Sequence, residues 1–394
     1  MVSKSDAMSC EKRDSLDAGS QRSGHECARI LRGQGAVYHI AFKDGRTEVA
    51  TLRGRLRQRS KRPCAGDLVL AELVDDPLAP YCIERIFERS SYLERPAIAN
   101  LDTMYLVASL SLPRTDSFHL DKLLALLHFR GIETKVIFSK LDELSSELRE
   151  FLLEAGRQRL SFSDFLSQAD SLDHPVFGLL HNLLQSGVEI YLLDQSSSDS
   201  ECLCLPSLSR NDYQMTERPS DDLDLPEALI EQIRWAEAQY RRRFQQQTYE
   251  DCLSRLRTVP TGSLNSLGGA SGVGKSTLFN ALLGSVQMET GELSSKMERG
   301  RQTTRHVEIC RLASAYFADS PGFEKLEVER VLENVEDLED AFPEVQHFRE
   351  YCQFRSCRHD KERQCAVRLY SRMTPERLQH YQILRSILED KRPY

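Results

Sequence analysis

Residues 269–277, which read GASGVGKST, constrain the fold of this chain more than any other segment. They fit the pattern Gly-x4-Gly-Lys-Ser/Thr, and the apolar run LFNALLG that follows predicts a helix. Glycines in this pattern let backbone N–H groups turn toward the β-phosphate of a nucleotide at the N-terminus of that helix. The segment therefore predicts a strand, a phosphate-binding loop and a helix, in that order.

The chemistry of this loop gives a role to its last residues. Lys275 is predicted to reach the β- and γ-phosphates, and the Ser276 hydroxyl to bind Mg²⁺. A glycine-rich turn that happens to precede Lys-Ser is the alternative interpretation, and the helix that follows disfavours it. The predicted nucleotide-binding residues of the loop are Gly269, Ala270, Ser271, Gly272, Val273, Gly274, Lys275, Ser276 and Thr277.

Two segments downstream fit the same site. The apolar run AYFADSPGF predicts a strand that ends in Asp-Ser-Pro-Gly. Asp319 at that strand end can hold the water shell of Mg²⁺, and the Gly322 N–H can contact the γ-phosphate. GRQTTRH lies between this run and the phosphate loop, and Thr303 or Thr304 can supply a second hydroxyl ligand from a switch loop. The predicted catalytic set is Lys275, Ser276, Thr303, Thr304, Asp319 and Gly322.

The part of the chain before the phosphate loop alternates strands and helices. Apolar runs at 104–110, 134–139 and 188–194 predict strands with amphipathic helices between them, which indicates parallel βαβ units. Directly after the second run comes Ser139-Lys140-Leu141-Asp142, similar to the Asn-Lys-x-Asp loop with which GTPases recognise guanine. Ser139, Lys140 and Asp142 are therefore predicted to contact the base, although they precede the phosphate loop in the chain.

The segment that leads into the phosphate loop differs in composition from the strands and helices before it. Residues 195–226 are rich in Ser, Asp and Pro and predict a linker. Residues 227–256 predict one long, highly charged helical stretch that holds the only tryptophan, Trp235. A solvated or packed helix is favoured here over a helix that binds a partner.

The N-terminal part of the chain predicts a small β-barrel. Residues 1–26 are polar, which predicts a disordered tail, and from Ala28 short alternating runs separated by turn signals predict four or five strands. Such a barrel commonly binds oligonucleotides, so a basic run on it favours nucleic acid over a merely solvated face. That run, at 51–63, contains no acidic residue and carries Arg53, Arg55, Arg57, Arg59, Lys61 and Arg62.

Four potential metal ligands lie close together near the C-terminus, in CQFRSCRHDKERQC. Cys352, Cys357, His359 and Cys365 form a three-thiolate, one-imidazole set, which is typical of a closed, tetrahedral and therefore structural Zn²⁺ site. Most of the remaining cysteines are scattered singly, so a disulfide scaffold is not expected. Basic residues surround the cluster and favour contact with RNA.

The composition narrows the possible classes of protein. A hydrophobic content of 40% with 28% charged residues is typical of a globular chain. No apolar stretch approaches the roughly 18 to 20 residues that span a membrane, and no signal-peptide pattern precedes the barrel, so we expect a cytoplasmic protein. The net charge of -8 argues against nucleic-acid binding over the whole surface but leaves room for a local basic patch.

These motifs in this order resemble one family, the ribosome small subunit-dependent GTPase A family of circularly permuted GTPases. The resemblance rests on RGRLR, ERPAIANLD, SKLD, GASGVGKST, GRQTTRHVE, DSPGF and the cysteine cluster ending in CAV. It implies an N-terminal OB-type β-barrel, a central α/β P-loop GTPase domain in permuted order and a small helical C-terminal domain with one structural Zn²⁺. It also implies hydrolysis of GTP with Mg²⁺, stimulated by the small ribosomal subunit and its rRNA during late maturation of that subunit.

The expected division of the chain follows from the motifs and the resemblance. Residues 1–26 are a tail, 27–93 an OB-fold RNA-binding domain, 94–324 the permuted GTPase domain with an insertion at about 195–258, and 325–394 the zinc-binding domain. The free protein is expected to be a monomer.

This chain departs from the family pattern at four places. Ser139 stands where the family has Asn, Gln195-Ser196-Ser197 where it usually has Ser-Ala, and Gln302 where His is common. The fourth departure is the length of the 195–258 segment. Phe323, which follows Asp-Ser-Pro-Gly, cannot position a water molecule, which predicts slow hydrolysis without a partner. Two alternatives therefore stay open: an RNA-binding scaffold with a non-hydrolysing nucleotide site, and an ATP-preferring site.

Overall fold

The computed structural model describes most of the chain outside one terminal tail and a few internal segments. The described residues are 24–57, 62–112, 114–169, 174–184, 186–208, 225–283, 307–312, 314–319 and 328–390. The predicted tail lies almost entirely outside them. So do the predicted switch residues Gln302, Thr303 and Thr304, together with Gly322 and Phe323.

Five strands near the N-terminus form a closed barrel, in the order β1-β2-β3-β5-β4. They are β1 (His25–Gln34), β2 (Val37–Phe42), β3 (Thr47–Leu52), β4 (Leu68–Leu73) and β5 (Tyr81–Ile86), with a one-turn helix α1 (Gly54–Arg57) after β3. Every second residue points inward, so Ile30, Ile40, Val69 and Ile83 fill the interior and have no exposed surface. The barrel predicted from the alternating runs is confirmed.

An eight-stranded sheet forms the centre of the molecule, after a short hairpin of β6 (Tyr92–Glu94) and β7 (Ala97–Ala99). Its order is β12-β11-β10-β9-β8-β13-β15-β14. The strands are β8 (Thr103–Ser109), β9 (Glu133–Ser139), β10 (Glu189–Leu192), β11 (Glu201–Leu205), β12 (Gln245–Thr248), β13 (Leu264–Gly268), β14 (Glu308–Leu312) and β15 (Ala315–Asp319). Strands β10, β9, β8, β13 and β15 run parallel, whereas β11, β12 and β14 are antiparallel to their neighbours.

Helices cover both faces of this sheet because its central strands are apolar on both sides. The helices are α2 (Ser117–Phe129), α3 (Ser146–Arg157), α4 (Phe162–Ala169), α5 (Pro175–Leu184), α6 (Glu227–Arg241), α7 (Tyr249–Arg257) and α8 (Lys275–Leu283). Along β8, Leu106 and Ala108 pack into the core that contains α2, whereas Tyr105 and Val107 pack into the core that contains α7 and α8. The parallel βαβ arrangement predicted from the alternation of strands and helices is confirmed.

The segment before the phosphate loop differs from its prediction. The predicted linker contains β11, and the predicted single helical stretch divides into α6, β12 and α7. The helix ends at Arg242, where the backbone leaves helical geometry and the buried guanidinium donates to the carbonyl oxygens of Val188, Leu205 and Pro206. The residues after it pair with β11, so this segment extends the edge of the sheet by two antiparallel strands.

Short helices near the C-terminus pack against the sheet domain. They are α9 (Val328–Val331), α10 (Val335–Ala341), α11 (Pro343–Phe348), α12 (Ala366–Tyr370) and α13 (Pro375–Asp390). The contact with α2 contains a buried ion network, in which Arg377 bonds to Glu344 and Asp121 and Asp121 also bonds to His380. No helix among the described residues has the length and apolar character needed to cross a membrane.

Candidate nucleotide site and metal centre

The predicted nucleotide-binding segments meet at one edge of the central sheet. The carboxyl ends of β8, β9, β10, β13 and β15 share this edge because these five strands are parallel. The phosphate loop follows β13, and the predicted base-contacting loop follows β9. In open α/β sheets this edge is where ligands bind.

Three glycines of the phosphate loop, Gly269, Gly272 and Gly274, have positive φ values, which favour glycine over other residues. Gly269 has φ +141°, and a Cβ there would lie 2.0 Å from the carbonyl oxygen of Val107. Gly274 has φ +92°, and a Cβ there would lie 3.5 Å from Ser139 Oγ, in the space between the phosphate loop and β9. The loop therefore packs against the ends of β8 and β9, and helix α8 begins directly after it at Lys275.

The Lys275 side chain folds back onto the phosphate loop that precedes it. Its Nζ donates to the carbonyl oxygen of Gly269 at 2.6 Å and also to that of Ala270. Ser271, Gly272, Ser276 and Thr277 are exposed, whereas Val273 is fully buried. A loop with exposed hydroxyl groups, a lysine ammonium and a helix N-terminus is chemically suited to a polyphosphate with Mg²⁺.

The predicted base-contacting residues lie in segment 139–142, which we call the first base loop. Lys140 has a left-handed φ of 64°, which turns the chain into a short 3₁₀ helix over Leu141–Glu143. Asp142 is exposed at the site edge, and Lys140 Nζ donates to Leu112 O at 2.9 Å. An exposed carboxylate on a fixed turn suits the N1–H and amino donors of guanine.

The loop after β10 lies directly beside this turn, although its sequence does not match the family pattern. Leu141 N donates to Leu193 O at 3.1 Å, and Gln195 N lies 3.5 Å from Asp142 Oδ1. We call residues 193–197 the second base loop. These two contacts place the loop next to the turn at Lys140 to Asp142.

Sequence reasoning missed the two residues that anchor the second base loop. Asp194 is fully buried, forms an ion pair with Arg149 of α3 and accepts from Ser196 N at 2.9 Å. The available signal was an aspartate at a predicted strand end followed by serines, a pattern in which the carboxylate caps the turn. This pair makes the second base loop a supported element of the site.

The Ser139 side chain bonds to main-chain carbonyl groups of the protein. Its Oγ lies 3.1 Å from Ala108 O and also contacts Val273 O in the phosphate loop, as the donor in each case. The residue has no exposed surface. A serine hydroxyl has one proton, and these carbonyl groups take it, so the side chain has none to donate to a base.

The predicted magnesium-binding residues are only partly described. Asp319 is the last residue of β15, which pairs with β13 in parallel, so its backbone lies at the same sheet edge as the phosphate loop. Thr303, Thr304 and Gly322 lie outside the described residues. Their assignment stays a prediction.

The four predicted metal ligands converge. His359 Nδ1 lies 3.6 Å from Cys352 Sγ and 3.4 Å from Cys365 Sγ, and the ligand atoms of the whole set, Cys357 included, lie within 4.8 Å of one another. Cys357, His359 and Cys365 are buried. Three thiols and an imidazole nitrogen that face one point fit Zn²⁺ in its preferred ligand type and number.

The basic run of the barrel is partly neutralised. Arg53 pairs with Glu72 at 3.3 Å and with Glu84, both on neighbouring strands, although the run itself contains no acidic residue. Arg62 is exposed, and the side chains of Arg55, Arg57, Arg59 and Lys61 are not described. A search for runs of charge along the sequence does not reveal these acidic partners, because they lie on other strands.

Known proteins share this arrangement. Both base loops precede the phosphate loop in the chain, and all three follow parallel strands of one sheet. This order defines a circularly permuted P-loop GTPase fold. The family model described as RsgA GTPase matches residues 86–174 and 221–329. The chain belongs to the RsgA GTPase family, which makes it a GTPase and implies GTP and Mg²⁺ as its ligands.

Relatives with known names cover nearly the whole chain. The small ribosomal subunit biogenesis GTPase RsgA of Bacillus cereus is 26% identical over 368 residues, which are 93% of this chain and 98% of the relative. The protein of the same name from Clostridium botulinum is 27% identical over 340 residues, 86% of this chain and 88% of the relative.

Solved structures share the fold. That of YloQ, described as a circularly permuted GTPase, has a TM-score of 0.61 at 21% identity and covers 95% of this chain and 98% of its own. That of YjeQ from Thermotoga maritima has a TM-score of 0.58 at 18% identity and covers 93% and 100%. The resemblance inferred from the motifs is confirmed.

Proposed function

We propose that this chain hydrolyses GTP to GDP and phosphate in the maturation of the small ribosomal subunit, and that the subunit stimulates the reaction. The observation that carries this proposal is the convergence of the phosphate loop and both base loops at one sheet edge. The names of the relatives support the ribosomal partner.

The residue roles within this proposal follow the geometry. Lys275 holds the β- and γ-phosphates, and Asp142 accepts from the guanine ring while Lys140 supports the base. Ser276, Asp319 and one of Thr303 and Thr304 would hold Mg²⁺, which neutralises charge on the phosphates when it is bound. The Gly322 N–H would contact the γ-phosphate.

A partner is part of the proposed mechanism. Phe323 cannot orient water, so the chain alone would be a slow enzyme, and a stimulating group would raise turnover by on the order of 10³ to 10⁵. The barrel and the zinc-binding domain are the proposed RNA-contacting surfaces, and the cytoplasm is the proposed location because ribosomal subunits mature there. We keep the division into 1–26, 27–93, 94–324 and 325–394, a single structural Zn²⁺ and a monomeric free state as parts of the proposal.

The test is phosphate release from GTP and from ATP, each with and without purified small ribosomal subunits. The proposal requires GTP turnover that the subunits increase and an ATP rate that stays low. Equal GTP rates with and without subunits would contradict the partner-stimulated mechanism.

The alternative function is an RNA-binding scaffold with a non-hydrolysing or ATP-preferring site. Its specific support is Ser139, whose hydroxyl proton is taken by protein carbonyl groups. GTP binding without phosphate release under any condition would favour the scaffold. Comparable affinity for ATP and GTP would favour the unselective site.

A further inference from the structure

The side-chain amide of Gln195 lies where the phosphate loop and both base loops meet. A Cβ added at Gly274 would lie 3.7 Å from Gln195 Oε1 and 3.5 Å from Ser139 Oγ, so both side chains face the same point of the phosphate loop. The main-chain N of Gln195 lies 3.5 Å from the Asp142 carboxylate. The amide therefore lies next to the two segments that define the base end of the site.

The donor end of this amide has no partner in the protein as described. Nε2 of Gln195 is buried, and no hydrogen-bond acceptor for it is found among the described residues. A buried donor that stays unpaired destabilises a fold, so this amide group calls for a partner that the described residues do not supply. The neighbouring Asp194 is held by Arg149 and Ser196, which restricts where the side chain of residue 195 can go.

The position of this amide matters because Ser139 cannot act as a base donor. The hydroxyl at 139 is occupied by carbonyl oxygens of β8 and the phosphate loop. The amide that an asparagine would supply from the first base loop is therefore absent, while an amide from the second base loop lies beside the same glycine.

We propose that Gln195 is a specificity-determining residue whose side-chain amide donates to O6, on the major-groove edge of guanine, in place of the amide missing at position 139. This inference rests on the proposed function, since it assigns a further contact in the same guanine site. Guanine presents two acceptors on that edge, whereas adenine presents an amino donor at the position of O6. Asp142 reads the opposite side of the ring, so the two side chains together recognise both edges that distinguish guanine.

The experiment measures affinity of the full-length protein for GDP, ADP and 2-aminopurine riboside diphosphate, the last of which lacks O6. The wild-type protein is compared with Gln195→Ala and Gln195→Glu. The matched control is Ser198→Ala, which removes an exposed side chain directly after the second base loop. Circular dichroism of each variant confirms that it is folded.

The proposal requires Gln195→Ala to weaken GDP binding on the order of tenfold while ADP and the 2-aminopurine nucleotide change little. Gln195→Glu should lower the GDP-to-ADP affinity ratio further, because a carboxylate repels O6 and accepts from the adenine amino group. Ser198→Ala should match the wild type for all three nucleotides.

Other results overturn the proposal in distinguishable ways. An unchanged GDP-to-ADP ratio in Gln195→Ala, whether the two affinities stay the same or fall together, leaves Gln195 with at most a structural role. Equal losses for GDP and the 2-aminopurine nucleotide would show that O6 is not the contacted atom. A wild-type protein that binds GDP no better than ADP would instead contradict the guanine site of the proposed function itself.

Discussion

Ser139 at the end of β9 donates a hydrogen bond to the main-chain carbonyl of Val273 inside the phosphate loop. The two residues are 134 positions apart in the chain. This contact joins the loop that we predict to contact the base to the loop that we predict to hold the phosphates. Ser139 departs from the family pattern, and its hydroxyl forms a structural tie between two segments of the site.

Replacement of this serine by alanine tests the tie. We expect Ser139→Ala to lower the free energy of unfolding by about 1 to 3 kcal/mol, because buried carbonyl groups lose their donor. GDP affinity should fall as well, since both loops lose their mutual support. Urea denaturation and nucleotide titration measure the two effects, with Ser198→Ala as the control. Unchanged stability would show that the hydroxyl is dispensable.

Lys275 provides the test of the phosphate site. Its ammonium group lies 2.6 Å from Gly269 O and is positioned to exchange this carbonyl for phosphate oxygens. Removal of a charge-assisted contact typically costs about 1.5 to 3 kcal/mol, so Lys275→Ala should weaken GTP binding by roughly 10-fold to 150-fold. Isothermal titration with a GTP analogue measures this loss. A variant that binds GTP like the wild type would place the phosphates elsewhere.

The cysteine and histidine cluster predicts a metal content. Purified protein should contain one zinc ion per chain, and Cys357→Ser should lose it and unfold at lower temperature, since metal binding contributes to folding. Cys82→Ser in the barrel is the control, because Cys82 lies outside the cluster and its replacement should leave the zinc content unchanged. Elemental analysis measures both. Protein purified without chelators but free of zinc would count against the site.

The buried ion network predicts that the C-terminal helices and the GTPase domain are energetically coupled. Arg377 is 1% exposed and bonds to both Asp121 of α2 and Glu344 of α11. Arg377→Ala removes the guanidinium from the buried Glu344 carboxylate and leaves Asp121 paired with His380, which should cost about 3 to 5 kcal/mol of stability. Arg372→Ala is the control: its exposed pair with Glu237, at 3.5 Å, should contribute about 1 kcal/mol or less. Equal losses in chemical denaturation would contradict the prediction.

His347 predicts a pH dependence of stability. Its ring stacks on Trp235 with centroids 4.5 Å apart, and burial, assisted by the charge of His128, lowers its pKa to about 4. An unfolded histidine has a pKa of about 6.5, so between these values the unfolded state binds more protons and stability falls on acidification. The slope from one such group is at most about 1.4 kcal/mol per pH unit.

Denaturation of the wild type and of His347→Gln between about pH 7 and pH 5 measures this contribution. The variant should be less stable at neutral pH, because it loses the stacked ring, and should show a smaller decrease on acidification. Identical pH slopes in the two proteins would show that His347 is not the group responsible.

Much of the site was predictable because its motifs are local. The phosphate loop, the turn at Lys140 to Asp142 and the cysteine cluster each lie within a few residues, and their geometry follows from glycine, strand ends and ligand type. The linker prediction for 195–226 and the single-helix prediction for 227–256 were wrong. Both errors involve contacts between segments distant in sequence, which no local pattern reveals: β11 pairs with β10 and β12, and Arg242 bonds to carbonyl groups of residues 188, 205 and 206.

The sequence by itself determined that this chain has a barrel, a permuted α/β P-loop domain and a cluster of four potential metal ligands, because hydrophobic periodicity and short motifs encode these features directly. Only the tertiary structure decided what the unusual residues do. In the folded protein the Ser139 hydroxyl donates to the Val273 carbonyl, the Gln195 amide lies beside Gly274, and Arg377 is buried against Asp121. Each of these relationships joins residues far apart in the chain, so it exists only once parallel strands bring their ends to a common edge or helices pack across a shared core.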